Sequence, residues 1–116
     1  MEILGQGLKV FEHGPVSGRL QLLSGPEDVI GLMDGDASET VALVREAGAT
    51  FLAPLYHELR AIICTNGTPR SHIGIMCREF QLPGVMAVEF ADGLPDDGTL
   101  VEIDCSGDGV GGVIRG

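Results

Sequence analysis

The chain has no tryptophan, one tyrosine and four phenylalanines, so its interior has to be built from aliphatic side chains. Basic charge is almost as scarce. Lys9 is the only lysine, six arginines accompany it, and 17 acidic residues leave a net charge of −10. No Lys/Arg cluster occurs. That sets aside a free-standing nucleic-acid binder, whose affinity needs a basic face. The acidic surface favours solubility, and any site for an anion must rely on local donors because the global field opposes it. The three cysteines, Cys64, Cys77 and Cys105, form no CxxC pair and no Cys/His spacing of the zinc type. They read as buried, reduced thiols. No apolar run approaches membrane-spanning length and no secretory leader opens the sequence. The expectation is a cytoplasmic protein with no membrane partner.

What is present fits one domain spanning residues 1–116 around one core. The 18 glycines fall mainly between apolar runs, which implies short elements and tight turns. Leu8–Phe11 and Arg19–Leu23, separated by Gly14-Pro15-Val16-Ser17-Gly18, read as a hairpin or wide turn. Residues 26–33 read as a weak helical turn or a loop. Val41–Arg45 is a buried strand or part of a helix from Ser38, and periodicity does not choose between them. Thr50 is expected to cap a helix over Phe51–Leu59, with Pro54 in its first turn. Arg60–Cys64 reads as a short strand, 72–80 as a helix, and Val85–Val88, Leu100–Asp104 and Val110–Ile114 as strands. On the 72–80 helix, Ile73, Met76, Cys77 and Phe80 share one face and are expected to meet the core. The pattern predicts a compact domain mixing α and β elements.

The chemistry concentrates in CTNGTPRSHIGIMCREFQLPGV, residues 64–85. A strand end runs through a Gly-Pro loop into a helix that begins at His72. Imidazole is neutral near pH 7 and can attack phosphorus directly. A helix N-terminus offers free N–H groups to a phosphoryl group. Thr65, Thr68 and Ser71 add hydroxyls and Arg70 adds a cation. Phosphoryl transfer asks a protein mainly for position and charge stabilisation. The plainer reading is that Ser71 only caps the helix and His72 is a first-turn surface residue, and residue physics alone favours it. Arg78 and Glu79 lie farther along the same helix. They either support the phosphoryl-bearing turn or form an exposed charge pair. His13 and His57 carry no comparable signal.

This segment resembles the signature of the phosphohistidine (swivelling, or mobile) domain of phosphoenolpyruvate-utilising enzymes. That family includes pyruvate phosphate dikinase, phosphoenolpyruvate synthase and enzyme I of the sugar phosphotransferase system. Thr65, Gly67, Ser71, His72, Ile75, Arg78, Glu79 and Pro83 keep the register of T-x-G-G-x-T-S-H-x-A-I-x-A-R-E-x-G-I-P. Residues 14–18 look like the family's opening G-x-x-S-G, and residues 97–104 with Gly109-Val110 like its closing hairpin. The resemblance implies a three-layer β/β/α swivelling domain, with residues 41–45 as a strand. It implies that His72 is the phosphorylated residue, supported by Thr65, Gly67, Arg70, Ser71 and Arg78. Thr68, Arg70, Gly74 and Gln81 depart from the pattern, replacing glycine, threonine, alanine and glycine. Gly74 for alanine is expected to weaken the helix by roughly 1 kcal/mol.

No Walker pattern occurs, and there is no region large enough for a nucleotide-binding domain or a phosphoenolpyruvate-binding barrel. The resemblance therefore implies a phosphoryl carrier, as a subunit of a split phosphotransferase or a domain excised from one. No cofactor is expected on the chain itself. Mg and ATP or phosphoenolpyruvate are expected on a partner nucleotide-binding or barrel protein. The competing expectation is a non-catalytic interaction module with the same fold. A third is a small α/β enzyme pairing His72 with Glu79 or Asp104.

Overall fold

A computed structural model describes residues 2–116. Seven strands close into a barrel: β1 (Ile3–Lys9), β2 (His13–Leu22), β3 (Thr40–Val44), β4 (Ala61–Cys64), β5 (Gly84–Phe90), β6 (Leu100–Cys105) and β7 (Gly111–Arg115). Around the barrel their order is β1-β5-β4-β3-β2-β6-β7. β2, β3, β4 and β5 run parallel, and the remaining pairings are antiparallel. Two α-helices are present among the described residues, α1 (Pro26–Met33) and α2 (His72–Glu79).

The central strands are apolar on both faces because both faces are covered. In β3, Val41 and Leu43 join one hydrophobic cluster and Ala42 and Val44 the other. In β4, Ala61 and Ile63 alternate with Ile62 and Cys64 in the same way. The first cluster includes Val16, Leu20, Val101, Ile103 and Ile114 from the other strands, and fills the barrel. The second adds Val29 of α1 and Ile73 and Cys77 of α2, and lies between barrel wall and helices. This confirms the mixed α and β character and the strands expected at 41–45, 60–64, 85–88 and 100–104. It also resolves 26–33 as a helix.

Three expectations are corrected. Residues 7–24 are not a hairpin: β1 pairs with β5 and β7, and β2 with β3 and β6. The segment 14–18 lies inside β2. The β2–β6 register shifts between His13 and Val16, so Pro15, which has no N–H, falls where the ladder is already irregular. Residues 51–59 form turns around a single 3-10 turn, Ala53–Leu55, and not an α-helix. Pro54 offers no N–H, and most bonds close as i→i−3, Leu55 N–H to the Leu52 carbonyl at 2.8 Å and Glu58 N–H to Leu55 at 2.9 Å, while one i→i−4 bond, Leu59 N–H to the Leu55 carbonyl at 3.0 Å, is not continued. Phe80 is not a core residue. It is 46% exposed and stacks on the buried Tyr56 with ring centroids 5.5 Å apart.

Candidate functional site

The parallel strands β3 and β4 deliver two loops to the same end of the barrel, residues 45–49 and 65–71. In parallel sheets, ligands are met at such carboxyl ends. The two loops are stitched together at Ala47. Its N–H donates to Asn66 Oδ1 at 2.8 Å, and its carbonyl accepts from Ile73 N–H at 3.0 Å. The Asn66 carbonyl accepts from Ala87 N–H at 3.1 Å. Ala87 has φ 52°, and the β1–β5 register shifts opposite it, so a bulge in β5 turns this N–H out of the ladder toward the loop.

Gly67 has φ 80°, and a Cβ there would meet Ala47 Cβ and approach Ser71 Oγ to 2.8 Å. Only glycine fits without strain. Ser71 is the residue before α2, with extended backbone, but its hydroxyl does not cap the helix. Ser71 Oγ accepts instead from Thr68 N–H at 2.9 Å, and Thr68 Oγ1 accepts from Arg70 N–H at 3.1 Å. The hydroxyls are therefore spent on holding the loop. In consequence the backbone N–H groups of His72 and Gly74 have no acceptor among the described residues.

His72 is exposed and nothing among the described residues hydrogen-bonds its ring. Thr65 is half-buried at the end of β4, with its N–H on the Val44 carbonyl at 3.1 Å. The fold thus brings Thr65, Gly67, Ser71 and His72 into one loop-and-helix-start unit. Arg70 and Arg78 are placed differently. Both line an open groove of about 680 Å³ on the outer face of α2, with Pro69, Ile75 and Glu79. His72 is not among its lining residues. Arg78 also donates from Nη2 to the Val10 carbonyl at 2.6 Å, which ties the far end of α2 to the β1–β2 connection. The three thiols of the chain are buried. Burial pushes Cys64 and Cys77 up to about 12, and Cys105 up to about 11.

Gly74 contradicts its sequence reading. It is buried, and a Cβ there would fall within contact of the Pro69 carbonyl oxygen and 2.7 Å from the carbonyl carbon. Glycine lets α2 start tightly against the loop. Asn66, Ala47 and Ala87 were not legible as site residues. Their roles come from backbone groups and a short amide, which leave no motif beyond the Asn-Gly dipeptide.

Among the described residues, no three His, Cys, Asp or Glu side chains converge as metal ligands, and no helix is long and apolar enough to cross a membrane. What the site can do is present a free imidazole at a helix start beside unpaired backbone donors. Fold and site together define an α/β barrel domain that displays a histidine on a clamped loop. The chain belongs to the family of the mobile domain of PEP-utilising enzymes, whose model matches residues 37–107, more than half its length. No curated protein matches the chain significantly.

Proposed function

We propose that the chain is a phosphoryl-carrier domain in which His72 accepts a phosphoryl group and passes it on. The observation that carries this reading is an exposed, unbonded imidazole beside the free N–H groups of His72 and Gly74, in a chain of the mobile-domain family. A ring nitrogen attacks phosphorus. The N–P bond forms as the P–O bond to the leaving group breaks, and that oxygen keeps the pair. The other ring nitrogen can release its proton to solvent. At the acceptor, an attacking oxygen forms the new P–O bond and the N–P pair returns to the ring. The clamped loop holds the imidazole in place through both steps. Gly67, Ser71 and Thr65 are assigned to loop geometry and backbone support. Arg70 is assigned to charge near the phosphoryl group, and Arg78 to anchoring α2.

Donor and acceptor sites are assigned to partner domains, a nucleotide-binding or phosphoenolpyruvate-binding one, with Mg and ATP or phosphoenolpyruvate held there. The swivelling β/β/α reading is supported by the two cores, one inside the barrel and one beneath the helices. Three buried free thiols support a cytoplasmic setting. A second reading, an interaction module, is supported by the groove beside α2, where Ile75 is 51% exposed between Arg70 and Arg78.

The test is to isolate the physical partner and supply radiolabelled ATP or phosphoenolpyruvate. Acid-labile, base-stable label on this chain, lost in a folded His72→Ala variant, is the expected result. Label that persists in His72→Ala sinks the carrier. A tight complex with no label from either donor favours the interaction module.

A further inference from the structure

His72 opens a helix whose first turn is not held by its own cap. Ser71 stands at the capping position, but its hydroxyl accepts from Thr68 N–H and makes no bond to α2. The acceptor for the helix comes from a different loop. The Ala47 carbonyl takes Ile73 N–H at 3.0 Å. Ile73 lies between the free N–H groups of His72 and Gly74, so the direction of those two donors depends on where Ala47 stands.

Ala47 is held in turn by one side chain. Asn66 Oδ1 accepts Ala47 N–H at 2.8 Å, from a residue 19 positions away in the sequence. The Asn66 carbonyl accepts Ala87 N–H at 3.1 Å. Ala87 has φ 52°, a conformation that costs an L residue energy and persists only where its surroundings over-determine it. Three hydrogen bonds therefore run from β5 through Asn66 and Ala47 to the first turn of α2. Every group in that series is main chain except the Asn66 amide. Ala47 is also 2% exposed, and Gly67 packs against its Cβ, so it cannot shift without moving the loop. An uncharged amide supplies the acceptor without adding a carboxylate to a chain of net charge −10.

We propose that Asn66 is a positioning residue for the phosphoryl chemistry of His72, acting through Ala47 and Ile73. The inference rests on the carrier reading above and deepens it: the donors at the start of α2 are aimed from the barrel, by a residue that makes no bond to the imidazole. Donors already in place where charge develops need no rearrangement during transfer.

The experiment treats the intact chain with potassium phosphoramidate, which needs no partner domain. A ring nitrogen forms the N–P bond as the P–N bond to the leaving ammonia breaks, and the ammonia keeps that pair and takes up a proton. Peptide mapping by mass spectrometry gives the labelling rate at His72, with the exposed His57 as internal reference. Hydrogen exchange reads the Ile73 amide. Asn66→Ala should lower the His72 rate relative to His57 about 2- to 10-fold, the worth of one hydrogen bond, and should speed Ile73 exchange. Asn66→Asp keeps an acceptor in place and should restore the Ile73 protection. Val29→Ala, at the buried position of α1, should lower the melting temperature and leave the ratio of rates alone, which separates positioning from lost stability. The proposal is overturned if Asn66→Ala keeps the wild-type ratio, or if Val29→Ala shifts it as much. A wild-type chain that labels at His57 and never at His72 counts against the carrier reading instead, and Ile73 exchange then decides by itself whether Asn66 holds α2.

Discussion

Gly74→Ala sets helix propensity against sterics, and the two give opposite signs. By propensity alone the substitution stabilises α2 by about 1 kcal/mol, because alanine loses less backbone entropy than glycine. The structure argues the reverse. The new methyl would lie against three backbone atoms of Pro69: its carbonyl oxygen, its carbonyl carbon at 2.7 Å and its Cα at 3.0 Å. None is the end of a flexible side chain, and Pro69 has its φ fixed by its ring. Relief must come from moving the loop, which is held by Thr68–Ser71 and Ala47–Asn66 hydrogen bonds. Overpacking of this kind costs about 1–3 kcal/mol, occasionally more. Set against the propensity gain, a net loss of up to about 2 kcal/mol follows. Urea denaturation with a shared m-value should show a lower midpoint, and heating a melting temperature lower by up to roughly 8 °C. A midpoint raised by the full propensity gain of about 1 kcal/mol would refute the claim that glycine is required here.

Gly67→Ala should be more damaging still, about 2–4 kcal/mol in the same denaturation assay, since it combines a φ of 80° with a methyl placed on Ala47. The native chain should resist thiol reagents at mildly alkaline pH, because Cys64, Cys77 and Cys105 are buried with thiols raised to about 11–12. Three groups should react on unfolding, and rapid labelling of the folded protein would contradict the burial. Asp104 is lowered to about 2, first by the Ser106 hydroxyl and backbone N–H, then by Arg115. A carboxylate depressed in the folded state contributes stability that is present above its unfolded pKa near 4 and is lost as pH falls toward 2. Melting temperature measured against pH should therefore drop across that window, and Asp104→Asn should flatten the drop. An identical acid limb in the variant would show that Asp104 is not the group responsible.

Much of this was legible because local patterning and tertiary burial agree. Ile62, Ile63 and Cys64 form a strand on any reading, and the helix start at His72 follows from the Gly-Pro loop ahead of it. The misread segments are those where a local signal competes with a distant partner. Gly14-Pro15 looks like a turn, yet β6, some ninety residues away, supplies an irregular ladder that accommodates it. The buried positions Leu52, Leu55, Tyr56 and Leu59 have helical spacing, but the segment closes mainly with i→i−3 bonds and its one i→i−4 bond, Leu59 to Leu55, is not continued. At the site, residue types identified the histidine and its glycine. The direction of each hydrogen bond was not legible, because Ser71 can serve either the helix or the loop, and only packing decides that it serves the loop.

The closure of the barrel has a consequence for the company this chain keeps. β7 returns to β1, so among the described residues every strand has a neighbour on both sides along at least part of its length. An open edge would invite any passing strand, including that of another copy, to extend the sheet. A body proposed to visit more than one surface and to leave each again is exposed to that hazard at every encounter. Here the sheet closes on itself, and no strand is a free edge along its whole length. Attachment is left to side chains and to one short loop, and contacts of that kind can be released.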